Sequence, residues 1–203
     1  MDDFEALTNA IALEGRTVVD VGCGDGAFVR ALRGAGADAL GVDIDVARAR
    51  ELDPDGHYLT GGAQDLPLED GSVDVATLMR SLHHVPDPHT AFPELKRVVR
   101  DLVYIAEPLA VGAFFELLRP VDDETEVRAQ AQAAIQASGF ESLQTIEYDV
   151  VLQIDRLEQL RDRILSADPT RADRYAQEEE NLRERFMPGA YPIPMRVDIL
   201  RPR

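Results

Sequence analysis

Residues 18–26 read Val-Val-Asp-Val-Gly-Cys-Gly-Asp-Gly, and residues 41–45 read Gly-Val-Asp-Ile-Asp. An apolar, β-branched run breaks into a glycine-rich turn, and a second apolar run ends in a carboxylate. α/β proteins build nucleotide pockets in this way: the glycines let the backbone approach the ligand, and the later acid accepts ribose hydroxyls. The pairing narrows the function to enzymes that bind an adenosine-containing cofactor, and it points to a parallel sheet.

Working outward, short apolar runs predict strands over Thr17–Val21, Ala39–Val42, His57–Leu59, Val73–Met79, Leu102–Ala106, Thr145–Ile154 and Met195–Leu200. Between them, helical spacing predicts helices over 3–14, 27–33 and 46–52, another beginning at Asp87-Pro88 or Thr90, and one over 123–137. Asp25 is the expected cap of the helix at Ala27, and Asp123 with Glu126 resembles a capping box. Residues 156–187 are charged and helix-forming, with Leu157, Leu160, Ile164 and Leu165 as an apolar stripe. Strands alternating with helices predict an α/β, Rossmann-like, doubly wound and mostly parallel seven-stranded sheet with helices on both faces. A helical insertion before the last strand completes it. We expect a single domain over 1–203, with a core of about 15–155 and 191–203 and an insertion or cap of about 156–190.

Charge and composition exclude several classes. The formal charge of −17 repels phosphate backbones, so nucleic acid is not an expected partner. The one cysteine, Cys23, rules out an internal disulfide framework or a cysteine zinc cage, and is expected to be a small packed side chain. No apolar stretch approaches the roughly 20 residues of a membrane helix. The acidic start, Met1-Asp2-Asp3-Phe4-Glu5, is the opposite of a secretory leader, which suggests the cytoplasm. Of 21 basic residues only Lys96 is lysine, which fits genome composition or salt adaptation equally well.

Gly22, Gly24 and Ala27 satisfy the loose G-x-G-x-x-G/A spacing, which taken alone suits a nicotinamide dehydrogenase. Three features favour a different cofactor. Asp20, two residues before the first glycine, suits a cationic amino-acid ligand better than a pyrophosphate. The chain leaves little room for a separate substrate domain. Gln64-Asp65 falls where the third strand would empty towards the nucleotide base.

Taken together, Val18–Gly26, Gly41–Asp45, Gly62–Pro67, Val73–Val85 and Glu94–Val99 resemble the class I S-adenosylmethionine-dependent methyltransferases. The pattern is nearest the small-molecule enzymes of the ubiquinone/menaquinone C-methyltransferase type, and it covers about residues 15–108. The resemblance implies S-adenosylmethionine as cofactor. Asp20 would lie near the methionine ammonium, and Gly22 and Gly24 would give close passage beside the methionine and ribose. Asp43 would accept both ribose hydroxyls, and Ile44 would pack on the adenine. Asp65 would accept the adenine amino group with Gln64 and Leu66 alongside, while Met79 and Arg80 would line the methionine side. The Pro-Gly-Gly that such proteins commonly carry before the fifth strand is missing here. Little chain precedes the first strand, so the cover is expected from 109–121 and 156–187.

Methyl transfer from a sulfonium is an in-line displacement governed chiefly by alignment, with a general base where the acceptor must lose a proton. Ser81-Leu82-His83-His84-Val85 follows the fourth strand, at the rim where open α/β sheets bind ligands. Adjacent side chains diverge, so one histidine is expected to face the pocket while the other packs. His84 is the candidate for the ligand side and His83 the candidate base; Glu107 is a second rim candidate. No ligand-spaced cluster suggests a metal. The Asn/Asp-Pro-Pro-aromatic string of nucleic-acid amino methyltransferases is missing after the fourth strand. The expected function is therefore methyl transfer to an oxygen or carbon of a small molecule, ahead of nitrogen, by a monomer or homodimer. The alternatives are a non-catalytic S-adenosylmethionine-binding protein or an NAD-dependent oxidoreductase.

Overall fold

The computed structural model describes residues 1–203. Seven strands form one sheet: β1 (Thr17–Val21), β2 (Asp38–Asp43), β3 (His57–Thr60), β4 (Val73–Met79), β5 (Val99–Pro108), β6 (Glu141–Ile154) and β7 (Gly189–Arg201). Their order is β3-β2-β1-β4-β5-β7-β6. The first five are parallel; β7 runs antiparallel to both β5 and β6, so the sheet ends in an antiparallel hairpin. The strand order reverses between β1 and β4, the switch point where α/β sheets open a crevice.

Alternation along each strand divides the core into two layers. Val18, Val75 and Tyr104 face one side, where they pack with Leu7, Val29, Leu32 and Ala49. Those residues belong to the helices α1 (Asp3–Ala10), α2 (Ala27–Gly34) and α3 (Ala47–Leu52). Val19, Ala76 and Ile105 face the other side, against Leu95 of α4 (Ala91–Val98). A further short helix, α5 (Ala113–Leu118), follows β5, and α6 (Thr125–Ala137) adds Ala131, Ala134 and Ile135 to the second layer. Period-2 strands buried on both faces are what a parallel sheet between helical layers demands.

Several expected boundaries move, each for a local reason. α1 stops at Ala10, because Ile11 turns extended at φ −135 and Leu13 is needed in the core. α2 begins after Gly26, which occupies the N-cap at φ 75, while Asp25 accepts the Ala27 N–H in a turn one residue earlier. The Asp123/Glu126 capping box does not form: Asp123 accepts the Thr125 N–H and hydroxyl, and Glu126 bonds the Gln130 side chain. β6 starts at Glu141, four residues before the expected Thr145, and a register shift between Ser142 and Gln144 hides its alternation. β7 starts at Gly189 despite Pro192 and Pro194. These prolines pair with Val151 and Asp149, beyond the point where Met195 meets the last residue of β5. On that edge Pro194 serves only as an acceptor, taking the Leu109 N–H at 2.8 Å, so a missing proline N–H is tolerated.

The same geometry makes the β6–β7 hairpin project past the C-terminal edge of the parallel strands. Residues 156–187, expected as one helical stretch, fold as α7 (Leu157–Ala167) and α8 (Ala172–Arg185) across this projection. The break falls at Asp168-Pro169: Asp168 caps a single 3-10 turn by accepting the Thr170 N–H at 2.9 Å.

Candidate active site

The C-terminal ends of β1, β2 and β4 open into a cleft of about 700 Å³. Its floor is the glycine turn. Gly22, at φ 79, lies so close to Ser81 that an added Cβ would stand 2.4 Å from the Ser81 Cβ. Gly24, at φ 53, has nothing within 4 Å of that position, so its bare backbone leaves room in the cleft. The Gly24 N–H donates to Asp43 Oδ2 at 2.8 Å, and the Asp45 N–H donates to Asp43 Oδ1 at 3.1 Å. Each carboxylate oxygen keeps a lone pair free. That pair of acceptors fits a ribose diol, whose hydroxyls would donate to it. Ile44, 79% exposed, stands at the lip where an apolar ring would be covered.

Gly61, Gly62, Ala63 and Gln64 form the opposite wall. The wall is held from behind, where the Leu66 N–H donates to Glu94 Oε2 at 2.9 Å and Arg97 donates to the carbonyls of Leu66 and Leu68. The Arg97 guanidinium holds the Glu94 carboxyl below the usual carboxylate range. Leu66 therefore belongs to the core and Asp65 to the outer turn; neither lines the cleft, and Met79 packs on the core beneath it. Of the expected cofactor residues, Gly22, Gly24, Asp43, Ile44, Gln64 and Arg80 line the cleft.

Asp20 lies below the turn, 2% exposed, and accepts the Thr77 hydroxyl at 2.7 Å. Burial pushes its carboxyl up to about 7; the Thr77 bond opposes this and the charge of Asp43 adds to it. A carboxyl in that condition ionises more readily when a cation settles nearby.

A second chamber of about 190 Å³ adjoins the cleft. Arg80, His84, Ala167 and Arg171 line both spaces. Glu107, 1% exposed near the end of β5, organises the wall: its Oε1 accepts the Leu82 N–H at 2.8 Å and its Oε2 bonds His83 Nδ1. With Glu107 ionised, Nδ1 carries the proton and Nε2 is left as an acceptor on the chamber side. Glu124 Oε2 is 4.0 Å from that nitrogen. The expectation that the two histidines diverge fails. Leu82–His84 form a 3-10 turn, in which neighbours lie closer than in a strand, and the two rings sit 4.0 Å apart. Loss of water, and then the His83 ring, lower the His84 pKa.

Nitrogen and oxygen atoms of His83, His84 and Glu124 come within 4.8 Å of one another. Arg128 at 2.5 Å and Arg171 at 3.7 Å already hold Glu124, and two guanidinium groups oppose a divalent cation there.

Much of the chamber comes from the segments 109–121 and 156–187. Phe114 and Phe115 arrive on α5, and Leu160, Arg163 and Ile164 on α7. Arg171, after the break between α7 and α8, pairs with Asp122 at 2.9 Å. Asp3 of α1 reaches the same rim, accepting Arg80 at 2.7 Å and the Tyr148 hydroxyl at 2.6 Å. Arg80 itself sits at φ 55, the one non-glycine residue in the left-handed region. Charge spacing did mark the helical stretch. Only tertiary pairing selects which of its arginines turn inward.

Comparison with known proteins shows that residues 19–106 match a family described as "Methyltransferase domain". An uncharacterized methyltransferase of Mycobacteroides abscessus is 40% identical over 107 residues, covering 48% of this chain and 41% of that protein. A ubiquinone biosynthesis O-methyltransferase of Methylococcus capsulatus is 38% identical over 97 residues, covering 44% and 41%. The matches thus span about two fifths of the length of these relatives. A provisionally named methyltransferase of Bacillus halodurans superposes with a TM-score of 0.70 over 98% of both chains at 17% identity, a likeness of fold.

Proposed function

We propose that this chain, whose residues 19–106 match a methyltransferase-domain family, is a class I S-adenosylmethionine-dependent methyltransferase that methylates an oxygen or an acidic carbon of a small molecule. The Glu107–His83 pair carries the reading: a buried, oriented imidazole faces a chamber continuous with the cofactor cleft. When bound, S-adenosylmethionine supplies an electrophilic methyl on sulfur. Asp43 would hold the ribose, Ile44 and Gln64 would border the adenine, and Gly24 would admit the chain of the ligand past the backbone. His83 Nε2 would take the acceptor's proton, and Glu107 would stabilise the imidazolium that results. An oriented base is worth about 10²- to 10⁴-fold, so it suits an acceptor that must lose a proton; an amine, already nucleophilic, gains less from it.

The curated relative named as a ubiquinone biosynthesis O-methyltransferase supports oxygen first. The test is transfer of labelled methyl from S-adenosylmethionine to a panel of phenols, enols and amines. The reading expects product with a hydroxylated or enolisable member, and transfer to amines alone would contradict it. Tight binding of S-adenosylhomocysteine with no product from any acceptor would favour a non-catalytic binding protein.

A further inference from the structure

Four arginines line the chamber beside the cofactor cleft, and one of them has no acid of its own. Arg80, Arg128, Arg163 and Arg171 line it, against Asp122 and Glu124. Arg128 is occupied by Glu124 at 2.5 Å, Arg171 by Asp122 at 2.9 Å, and Arg80 by Asp3 at 2.7 Å. Arg163, on α7, has neither an acid nor a carbonyl partner. The charge that acts on it is the Arg80 guanidinium, and water loss together with that like charge lowers its pKa. Arg80 in turn buries its Nε with no partner at all.

Such an arrangement is costly, because the Arg163 guanidinium sits partly desolvated beside the like charge of Arg80 with no acid of its own. It is also unusual for this chain, where Asp and Glu outnumber Lys and Arg by 38 to 21. The remaining walls are apolar: Phe114, Phe115, Leu118, Leu160, Ile164 and Ile193. His83 and His84 complete the lining.

We propose that the methyl acceptor is a small apolar, ring-sized acid whose carboxylate is held by Arg163 and Arg80, with its reacting atom directed to His83. Guanidinium groups meet a planar carboxylate through paired N–H bonds, and those bonds fix orientation as well as affinity. Arg163 lines the chamber and not the cofactor cleft, which separates its role from recognition of the cofactor's own carboxylate. The assignment rests on the methyl-transfer reading for calling this chamber the acceptor's.

Matched probes test it: 4-hydroxybenzoate against 4-hydroxybenzamide, and 4-hydroxycinnamate against its amide. Each is titrated calorimetrically into the protein with and without saturating S-adenosylhomocysteine. We expect each carboxylate to bind about tenfold or more tightly than its amide, the preference to fall to near unity in Arg163→Gln, and part of it to return in Arg163→Lys. S-adenosylhomocysteine affinity should stay unchanged in both variants. Equal binding of acid and amide, no binding of either carboxylate at millimolar concentration, or a preference that survives Arg163→Gln would overturn the proposal. So would a loss of S-adenosylhomocysteine affinity in Arg163→Gln, which would assign that arginine to the cofactor. Phenyl phosphate outcompeting both carboxylates would overturn the choice of anion. Failure of S-adenosylhomocysteine to bind the unaltered protein would break the methyl-transfer reading instead. The carboxylate preference and its loss in Arg163→Gln, measured without that ligand, would then still stand for the chamber.

Discussion

The two spaces that meet at Arg80 and His84 are built by opposite means. The cofactor cleft is assembled from neighbouring strand ends and held by backbone groups: the Gly22 and Cys23 N–H groups donate to the Val42 carbonyl, and the Gly24 N–H to Asp43. The adjoining chamber is assembled from the turn after β4, the end of β5, α5, the start of α6 and α7, which are far apart in the chain. Side-chain charge pairs hold it, with Arg171 reaching Asp122 and Glu124 across some fifty residues. A backbone-built site writes itself into sequence as glycines and a fixed acid. A site built from long-range pairs leaves no such trace.

The largest effect expected from breaking this division is on the chamber's chemistry. His83→Asn should lower kcat by about 10²- to 10⁴-fold while leaving S-adenosylhomocysteine affinity unchanged. A fall in both would mean that His83 serves the cleft as well, and the two spaces would not be separable. Next is Asp43→Ala, which removes the bonds to Gly24 and Asp45 together with the ribose acceptors. Affinity for S-adenosylhomocysteine should drop about 100-fold, roughly the worth of two charge-assisted hydrogen bonds. An unchanged dissociation constant would place the nucleotide elsewhere.

A smaller effect concerns pH. The Asp20 carboxyl is raised from 3.8 to about 7 in the folded protein. The native state therefore keeps this proton where the unfolded chain has lost it, and this group's contribution to stability falls as pH rises from about 4 to 7. If the ionised carboxylate meets the ammonium of the cofactor, affinity should rise about tenfold between pH 6 and pH 8. Asp20→Asn should flatten both profiles. A pH-independent affinity in the unaltered protein would remove Asp20 from cofactor recognition. Smallest is Arg171→Met. Its ion pairs are partly exposed and worth about 0.2–1 kcal/mol each, so a few-fold rise in acceptor KM is expected with kcat nearly kept. A large loss of cofactor affinity instead would show the cap closing mainly over the cleft.

How much was legible follows the same line. Thr17–Val21, the glycine turn and Asp43 were readable because strand, turn and acid are near in sequence and each has one physical job. The extent of β7 was not, since Pro192 and Pro194 argue against a strand until the end of β5 is known. Leu66 and Asp65 show where a motif string does not give the side-chain placement. The string Gln64-Asp65-Leu66 marks the correct loop, but the pull of Glu94 and Arg97 turns Leu66 into the core, and only Gln64 reaches the cleft. The adjacency of His83 and His84 was visible. The close, tilted approach of their rings was not, because nothing before Leu82 announces a 3-10 turn. Arg163 carries no signal at all: in sequence it is one charge in a charged helix, and its lack of a partner exists only in three dimensions.

The central claim is that the cleft between Gly24, Asp43 and Gln64 accepts S-adenosylmethionine. Calorimetric titration of the purified protein with S-adenosylhomocysteine and, separately, with NAD tests it most directly. The account predicts one molecule of S-adenosylhomocysteine bound per chain, weakened about 100-fold in Asp43→Ala, and no heat from NAD. Binding of NAD with no response to S-adenosylhomocysteine would contradict it.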